Sequence, residues 1–112
     1  MNSGFVDAKG LPDSPLDAAA DFYARIVPEV REAMARSSDL AIVFDPADHS
    51  HSAWRLAAVQ EVAREAAPCR VNGLVAQRSN LEGTAHALQF LHDSPGITGQ
   101  LLTVDANAGE TA

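Results

Sequence analysis

The residues best suited to chemistry are concentrated in one short stretch, DPADHSHS, at positions 45–52. It contains Asp48, His49 and His51, whose carboxylate and imidazole groups can bind divalent metal ions. An imidazole beside a serine could also act as a general base on the hydroxyl. The spacing matches no established zinc or triad signature. We therefore assign no metal ligand, keep these three side chains as candidates, and weigh them against a solvated loop that caps the next helix.

This stretch directly follows an apolar run, LAIVF, at residues 40–44. A strand without polar alternation is buried on both faces, which is typical of parallel sheets. In open α/β folds, ligands bind beyond the carboxyl ends of the strands. The sequence therefore places residues 45–52 where a ligand site of such a fold would lie.

The elements around this strand alternate in type. Ser14 and Pro15 mark the start of a helix that Pro28 should kink or divide. The later elements are predicted as helices over residues 53–67 and 81–92 and strands over residues 69–76 and 101–105. We predict a single α/β domain over residues 14–112, with about three parallel strands and helices on both faces of the sheet. Residues 1–13 show no sustained period and are predicted as a flexible or docked arm.

The composition limits the classes of partner. With 8 Lys and Arg against 15 Asp and Glu, the formal net charge is −7. This charge disfavours nucleic acid and anionic membrane, because both need clustered basic side chains. No run approaches the roughly 18 apolar residues that a membrane span needs. The single cysteine, Cys69, cannot form an internal disulfide. A reducing compartment fits this count, so we expect a cytoplasmic protein.

Several short strings follow one another in the second half of the chain. They are Arg-Val-Asn at 70–72, Phe-Leu at 90–91, Ile-Thr-Gly-Gln at 97–100 and Val-Asp at 104–105. In this order and at this spacing they resemble the carboxyl-terminal part of the short-chain dehydrogenase/reductase family. The resemblance covers about residues 15–106, most densely after residue 60. It implies a Rossmann-like, three-layer fold, which is only partial in this chain.

The resemblance also indicates which parts of a dehydrogenase site this sequence lacks. Family members hold the dinucleotide on a glycine-rich turn and exchange a proton through a Tyr-x-x-x-Lys pair. No such turn is present, and the one tyrosine, Tyr23, and the one lysine, Lys9, stand in the wrong order; Asp48 and Ser52 occupy the corresponding places. We therefore assign no catalytic and no cofactor-binding residue. We expect no cofactor for the isolated chain and no dehydrogenase activity from it alone.

Assembly is the remaining expectation from the resemblance. Family members commonly dimerise through paired helices or through the last helix and strand, which correspond here to residues 15–37 with 53–67 and to residues 81–105. The interface residues we predict are Tyr23, Val30, Trp54, Leu56 and Val59. The apolar strand at residues 40–44 would otherwise form an open edge, so either the amino-terminal arm or another chain should cover it.

Three function hypotheses follow. The first is a non-catalytic short-chain-dehydrogenase-like module that acts through oligomerisation or partner binding, most simply as a homodimer. The second is a partial subunit of an NAD(P)-dependent oxidoreductase, in a hetero-oligomer where another dehydrogenase-like chain supplies the nucleotide-binding half. NAD(P) would then bind only to the complex. The third is a small enzyme or metal site built on His49 and His51.

Overall fold

The computed structural model describes residues 2–104, which form a four-stranded parallel sheet in the order β1-β2-β3-β4. The strands are β1 (Asn2–Ala8), β2 (Ser37–Phe44), β3 (Arg70–Val75) and β4 (Leu101–Thr103). The helices are α1 (Pro15–Asp21), α2 (Val27–Met34), α3 (Ser52–Ala66) and α4 (Leu81–His92). A π-helical turn (Phe22–Ile26) joins α1 to α2, and a 3-10 turn (His49–His51) precedes α3. The predicted α/β class is confirmed.

The first residues of the chain form a strand, which corrects the prediction of an arm or loop. β1 pairs in parallel with β2 from Asn2 opposite Ser37 to Ala8 opposite Phe44. The apolar pattern of this strand is weak, because among its described side chains only Val6 and Ala8 are buried. The sheet therefore has four strands instead of about three. Of the two predicted covers for the edge of β2, the structure shows the chain's own amino-terminal segment.

β2 is buried on both faces, as its apolar run predicts. Leu40, Ile42 and Phe44 join the core cluster that also contains Phe22 and Val59 from the helices before and after this strand. Because successive side chains of a strand alternate between faces, the intervening residues point to the opposite side of the sheet. There α4 packs against the sheet. The predicted arrangement of helices on both faces is confirmed.

Pro28 divides the first predicted helix in two. It lies in the first turn of α2, directly after the π-helical turn. Proline has no N–H to donate to the preceding turn, so regular α-helical bonding cannot run through it. Phe22 and Ile26, at the two ends of the π-helical turn, are both fully buried. The break thus keeps two large apolar side chains directed into the core.

Arg70 opens β3 and caps the end of α4. Its Nη1 donates to the carbonyl oxygens of Leu91 and Ser94, each at 2.9 Å, and its Nη2 donates to the carbonyl oxygen of His92 at 3.2 Å. The last carbonyl groups of a helix lack partners within the helix, and a cation there also offsets the helix dipole. His92 completes this cluster, because its Nδ1 lies 2.9 Å from Oδ1 of Asp39 at the start of β2.

Asn72, two residues further along β3, holds the turn that leads into β4. Its Nδ2 donates to the carbonyl oxygen of Ile97 at 3.0 Å, and its Oδ1 accepts from the backbone N–H of Gln100 at 3.0 Å. Gly99 in this turn has a φ of 73°, a left-handed conformation that glycine adopts without strain. The turn therefore sets where β4 begins. Asp105, the last residue of the strand predicted over residues 101–105, lies outside the described residues.

Candidate functional site

A polar cavity of about 380 Å³ opens at the carboxyl ends of β1 and β2. Its walls come from the segment after β1, the segment after β2 and the first turns leading into α3. The side chains that matter for its chemistry are Asp13, Asp45, Asp48, His51 and Arg55. This is the edge of a parallel sheet at which open α/β folds bind ligands. The location predicted for residues 45–52 is therefore next to a real cavity.

His51 is a structural residue of this cavity. Its Nε2 lies 2.9 Å from the backbone carbonyl oxygen of Asp13, and its Nδ1 accepts from the indole N–H of Trp54 at 3.0 Å. A carbonyl oxygen only accepts and an indole N–H only donates, so these two contacts require a neutral ring with its proton on Nε2. Both ring nitrogens are thus engaged. His51 ties the segment after β1 to the start of α3 and has no lone pair free for a metal or a serine proton.

Asp48 and His49 do not converge with His51. One carboxylate oxygen of Asp48 accepts from the backbone N–H of Ser50 at 2.9 Å and from the Ser50 hydroxyl, and these hydrogen bonds lower the pKa of Asp48. Asp48 thereby caps the 3-10 turn before α3. Among residues 2–104, no group of three or more His, Cys, Asp and Glu side chains is arranged to hold a metal ion. The geometry therefore supports a capping role for this stretch, at the 3-10 turn rather than at α3 itself, which has no side-chain cap.

Arg55 is the residue of this cavity that sequence reasoning missed. Its side chain is only 6% exposed, and its Nη1 donates to the backbone carbonyl oxygen of Asp45 at 2.9 Å. The guanidinium carbon lies 4.8 Å from the ring centroid of Phe44 and 5.9 Å from that of Trp54. Within the described residues, Nε has no hydrogen-bond partner. Burial lowers the pKa of Arg55, and Asp45 opposes that effect.

A signal for Arg55 was present in the sequence. It stands four residues before Val59 and seven before Val62, both of which are buried residues of α3. A charged side chain in register with an apolar stripe is a candidate for burial, since residues at this spacing share one face of a helix. A buried arginine needs a partner or a function.

Arg78 forms a clamp beside the cavity. Its two terminal nitrogens each lie 2.7 Å from a carboxylate oxygen of Asp7, and its Nε lies 2.7 Å from Oδ1 of Asp45. The arginine follows β3, while the two carboxylates belong to β1 and to the residue after β2. The contacts with Arg78 lower the pKa of Asp7. One side chain thus joins the carboxyl ends of three neighbouring strands.

The predicted interface residues fall into three groups by exposure. Tyr23 and Leu56 are exposed on the face of the molecule that α1, α2 and α3 form, where a contact with another chain is possible. Val30 and Val59 are fully buried in the chain's own core, so the interface prediction is wrong at these two positions. They face the sheet because their helices need an inward apolar stripe. Trp54 is partly buried and packs against Phe22 and Phe44.

A second surface, which we call the α4–β4 surface, lies at the β4 edge of the sheet, opposite the β1 edge. Leu81 and Phe90 of α4 are 77% and 55% exposed. Phe90 also lines a groove of about 420 Å³ between α4 and β4, together with Leu74 and Leu102. β4 pairs with β3 on one side, and within the described residues no strand pairs with its other side. The surface therefore combines the exposed Phe90 with an open strand edge, while Leu81 lies nine residues earlier, on the opposite side of the helix.

Comparison with known proteins gives one family. The family model named SDR-like, described as short chain dehydrogenase-like protein, matches residues 6–104. No curated protein and no solved structure matches the chain. In the described part of the chain, no helix has the length and apolar character to cross a membrane.

Proposed function

The chain belongs to the SDR-like family of short chain dehydrogenase-like proteins, and we propose that it is a non-catalytic module of this family that acts by associating with a second copy of itself. The observation that carries the proposal is the α4–β4 surface, where the exposed Phe90 lines a groove beside a strand edge that has no partner within the described residues. Exposed apolar area beside an open strand edge commonly marks an interaction site.

The tyrosine supports the non-catalytic part of the proposal. Tyr23 lies in the π-helical turn, and its hydroxyl donates to Oε2 of Glu61 at 3.4 Å. Burial and the nearby Glu61 carboxylate raise the pKa of Tyr23. A dehydrogenase tyrosine needs a neighbouring cation that lowers its pKa instead. This phenol is therefore adapted to keep its proton.

Charge distribution favours a second copy as the occupant of the α4–β4 surface. Each chain carries a formal net charge of −7, so two copies repel each other unless their contact is poor in charge. α4 has a single Asp, Glu, Lys or Arg, namely Glu82. α2 and α3, by contrast, carry an exposed ion pair between Arg31 and Glu65. In a twofold dimer the same patch contributes from both chains, so one apolar surface is sufficient.

The oligomeric state tests this proposal directly. We expect size-exclusion chromatography with light scattering at micromolar concentration to give the mass of two chains. The double variant Leu81→Glu/Phe90→Glu should give the mass of one chain. Fully burying a large apolar side chain contributes about 1.5–3 kcal/mol, and a twofold dimer would lose the burial of Phe90 from both chains, so the dimer should weaken about a hundredfold or more.

Leu16→Glu is the matched control. Leu16 is as exposed as Leu81 but belongs to α1, on the other face of the sheet. The control should remain dimeric, and circular dichroism should show that all variants are folded. A wild-type protein that is monomeric at these concentrations would refute the proposal. If Leu56→Glu lost the dimer and Leu81→Glu/Phe90→Glu kept it, assembly would be assigned to the face formed by α1, α2 and α3.

Calorimetric titration with NADH and NADPH tests the non-catalytic part. We expect no heat of binding at micromolar concentrations of nucleotide, since the 112 residues contain no glycine-rich turn of the kind that holds a pyrophosphate. Binding of either nucleotide to the purified chain would contradict this expectation.

One observation favours the alternative of a partial oxidoreductase subunit. Within the described residues, the outer edge of β1 has no strand partner, and Phe5 on this strand is 61% exposed. A dehydrogenase-like chain that supplied a nucleotide-binding half could extend the sheet at this edge. Under this alternative, a nucleotide-binding partner should co-purify with the chain, and NAD(P)H oxidation should require both. The variant Phe5→Lys should then release the partner without affecting self-association through the α4–β4 surface.

A further inference from the structure

The buried Arg55 needs an anionic partner that the described chain does not supply. It forms no ion pair within residues 2–104, and a single backbone carbonyl oxygen accepts from its guanidinium. A guanidinium has five N–H donors, and leaving a buried charge unpaired is strongly unfavourable. Asp45, whose carboxylate opposes part of the effect of burial on Arg55, is already bound by Arg78 at 2.7 Å. The unsatisfied positive charge therefore faces a site that is open to a ligand.

The remaining walls of the cavity carry the opposite charge. Asp13 and Asp48 line the same cavity and are exposed, whereas Arg55 is buried. The positive group thus lies deep in the cavity and the two carboxylates lie near its mouth. A simple anion such as phosphate would pair with Arg55 but would meet repulsion from both carboxylates. A ligand with an anionic end and a cationic end satisfies all three groups.

The size of the cavity limits the ligand further. Its volume of about 380 Å³ is at the small end of the range for small-molecule sites. The planar guanidinium can form two parallel hydrogen bonds with a carboxylate, which is smaller than a phosphate and carries a single charge. An ammonium group offers donors to the two aspartates.

We propose that this cavity binds a small amino carboxylate, with its carboxylate on Arg55 and its ammonium group between Asp13 and Asp48. His51 positions the aspartate wall, because its hydrogen bond to the Asp13 carbonyl oxygen fixes the segment after β1. The ligand neutralises the buried guanidinium without adding net charge to an acidic protein. This binding function is separate from self-association through the α4–β4 surface.

Chemical-shift titration of the ¹⁵N-labelled full chain tests the proposal, with glycine, L-alanine and L-serine as probes. Millimolar concentrations of at least one of them should shift the amide signals of residues 9–13 and 45–52 and leave those of α4 in place. Propionate lacks the ammonium group and ethanolamine lacks the carboxylate. Each should give at least several-fold weaker binding than the best amino acid. If none of the three amino acids shifts the cavity signals, the proposal is wrong.

Two variants assign the contacts. Arg55→Met keeps the apolar stem and removes the charge, so it should abolish the amino-acid shifts. It should not lower the thermal midpoint, because it removes a buried unpaired ion. Arg64→Met, on the exposed side of the same helix, is the matched control and should bind as the wild type does. Asp13→Asn should weaken binding of the amino acids but not of propionate. Unchanged binding in Arg55→Met, with its fold intact, would overturn the assignment.

Discussion

At the scale of single residues, two arginines near one cavity have opposite environments. Arg78 is paired with two carboxylates, Asp7 and Asp45, whereas Arg55 has none within the described chain. Arg78 follows β3 in a polar loop, where its long side chain can reach both neighbouring strand ends. Arg55 is held on the apolar stripe of α3 and cannot move to those partners. The two therefore have different roles, one in joining strands and the other in binding.

The Arg78 clamp predicts a difference in acid stability. Arg78 lowers the pKa of Asp7 below its ordinary value of 3.8. A lowered carboxyl pKa in the folded state contributes stability that is complete above 3.8 and is lost as the pH falls through the lower folded value. At neutral pH, Arg78→Met should lower the free energy of unfolding by about 1 kcal/mol, typical of a well-formed surface ion pair.

The measurement is urea unfolding of wild type and Arg78→Met at neutral pH and at a pH well below 3.8. The two proteins should converge at the acidic value, since Asp7 is then protonated in both. Arg36→Met removes an exposed i,i+4 pair with Glu32 and serves as control, with little change expected at either pH. A constant difference between wild type and Arg78→Met at all pH values would show that the ion pairs are not its source.

Sequence reasoning at this scale was least successful. The stretch at residues 45–52 was correctly recognised as lying at a strand's carboxyl end, but the histidine chemistry considered there is not what the structure supports. His51 turns inward because Trp54, one helical turn later, offers it an indole donor. Such pairing depends on ring directions that spacing alone does not define. Arg55, in contrast, could have been found from its register with Val59 and Val62.

At the scale of elements, the strings Arg-Val-Asn and Ile-Thr-Gly-Gln are two halves of one structural unit. Arg70 caps α4, and Asn72 fixes the turn before β4. Neither side chain is near the polar cavity at the other end of the sheet's first strands. In this chain the two strings therefore serve the placement of α4 and β4, which together form the proposed contact with a second copy.

Loss of the α4 cap should be detectable locally. Arg70→Met removes hydrogen bonds to the carbonyl oxygens at the end of α4 and should lower stability by about 1–3 kcal/mol. Hydrogen exchange should accelerate in the last turn of α4 and less in α3. Arg70→Lys keeps the charge but not the planar donor geometry, so we expect an intermediate effect. Equal exchange rates for α4 in all three proteins would exclude the capping role.

Element prediction depended on how much of each element is buried. The bounds of α4 were predicted at Leu81 and His92, and those of α3 within a residue. The three later strands were also recognised. β1 was missed because only two of its described side chains are buried and it contains Gly4 and Asp7, which are uncommon in strands. The extended conformation of β1 is stabilised by pairing with β2, a long-range contact that the local sequence does not predict.

At the scale of the whole molecule, self-association should be visible in thermal stability. A dimer gains stability with protein concentration, because only the folded chain binds its partner. We expect the thermal midpoint of the wild type to rise by about 5–10 °C over a hundredfold increase in concentration, because that increase adds about 1.4 kcal/mol per chain to the stability of a dimer. The midpoint of Leu81→Glu/Phe90→Glu should not change. A concentration-independent midpoint in the wild type would argue against a dimer.

The order of the strands has a consequence for any such pair. The cavity lies where β1 and β2 end, and the self-association surface lies beyond β4, at the far margin of the same sheet. Two protomers joined there would carry their cavities on the outside, pointing away from each other. We therefore expect one ligand per protomer, taken up without cooperativity, and an affinity that is the same for single chains and for pairs. Ligand binding in the cavity and dimerisation would then vary independently of each other.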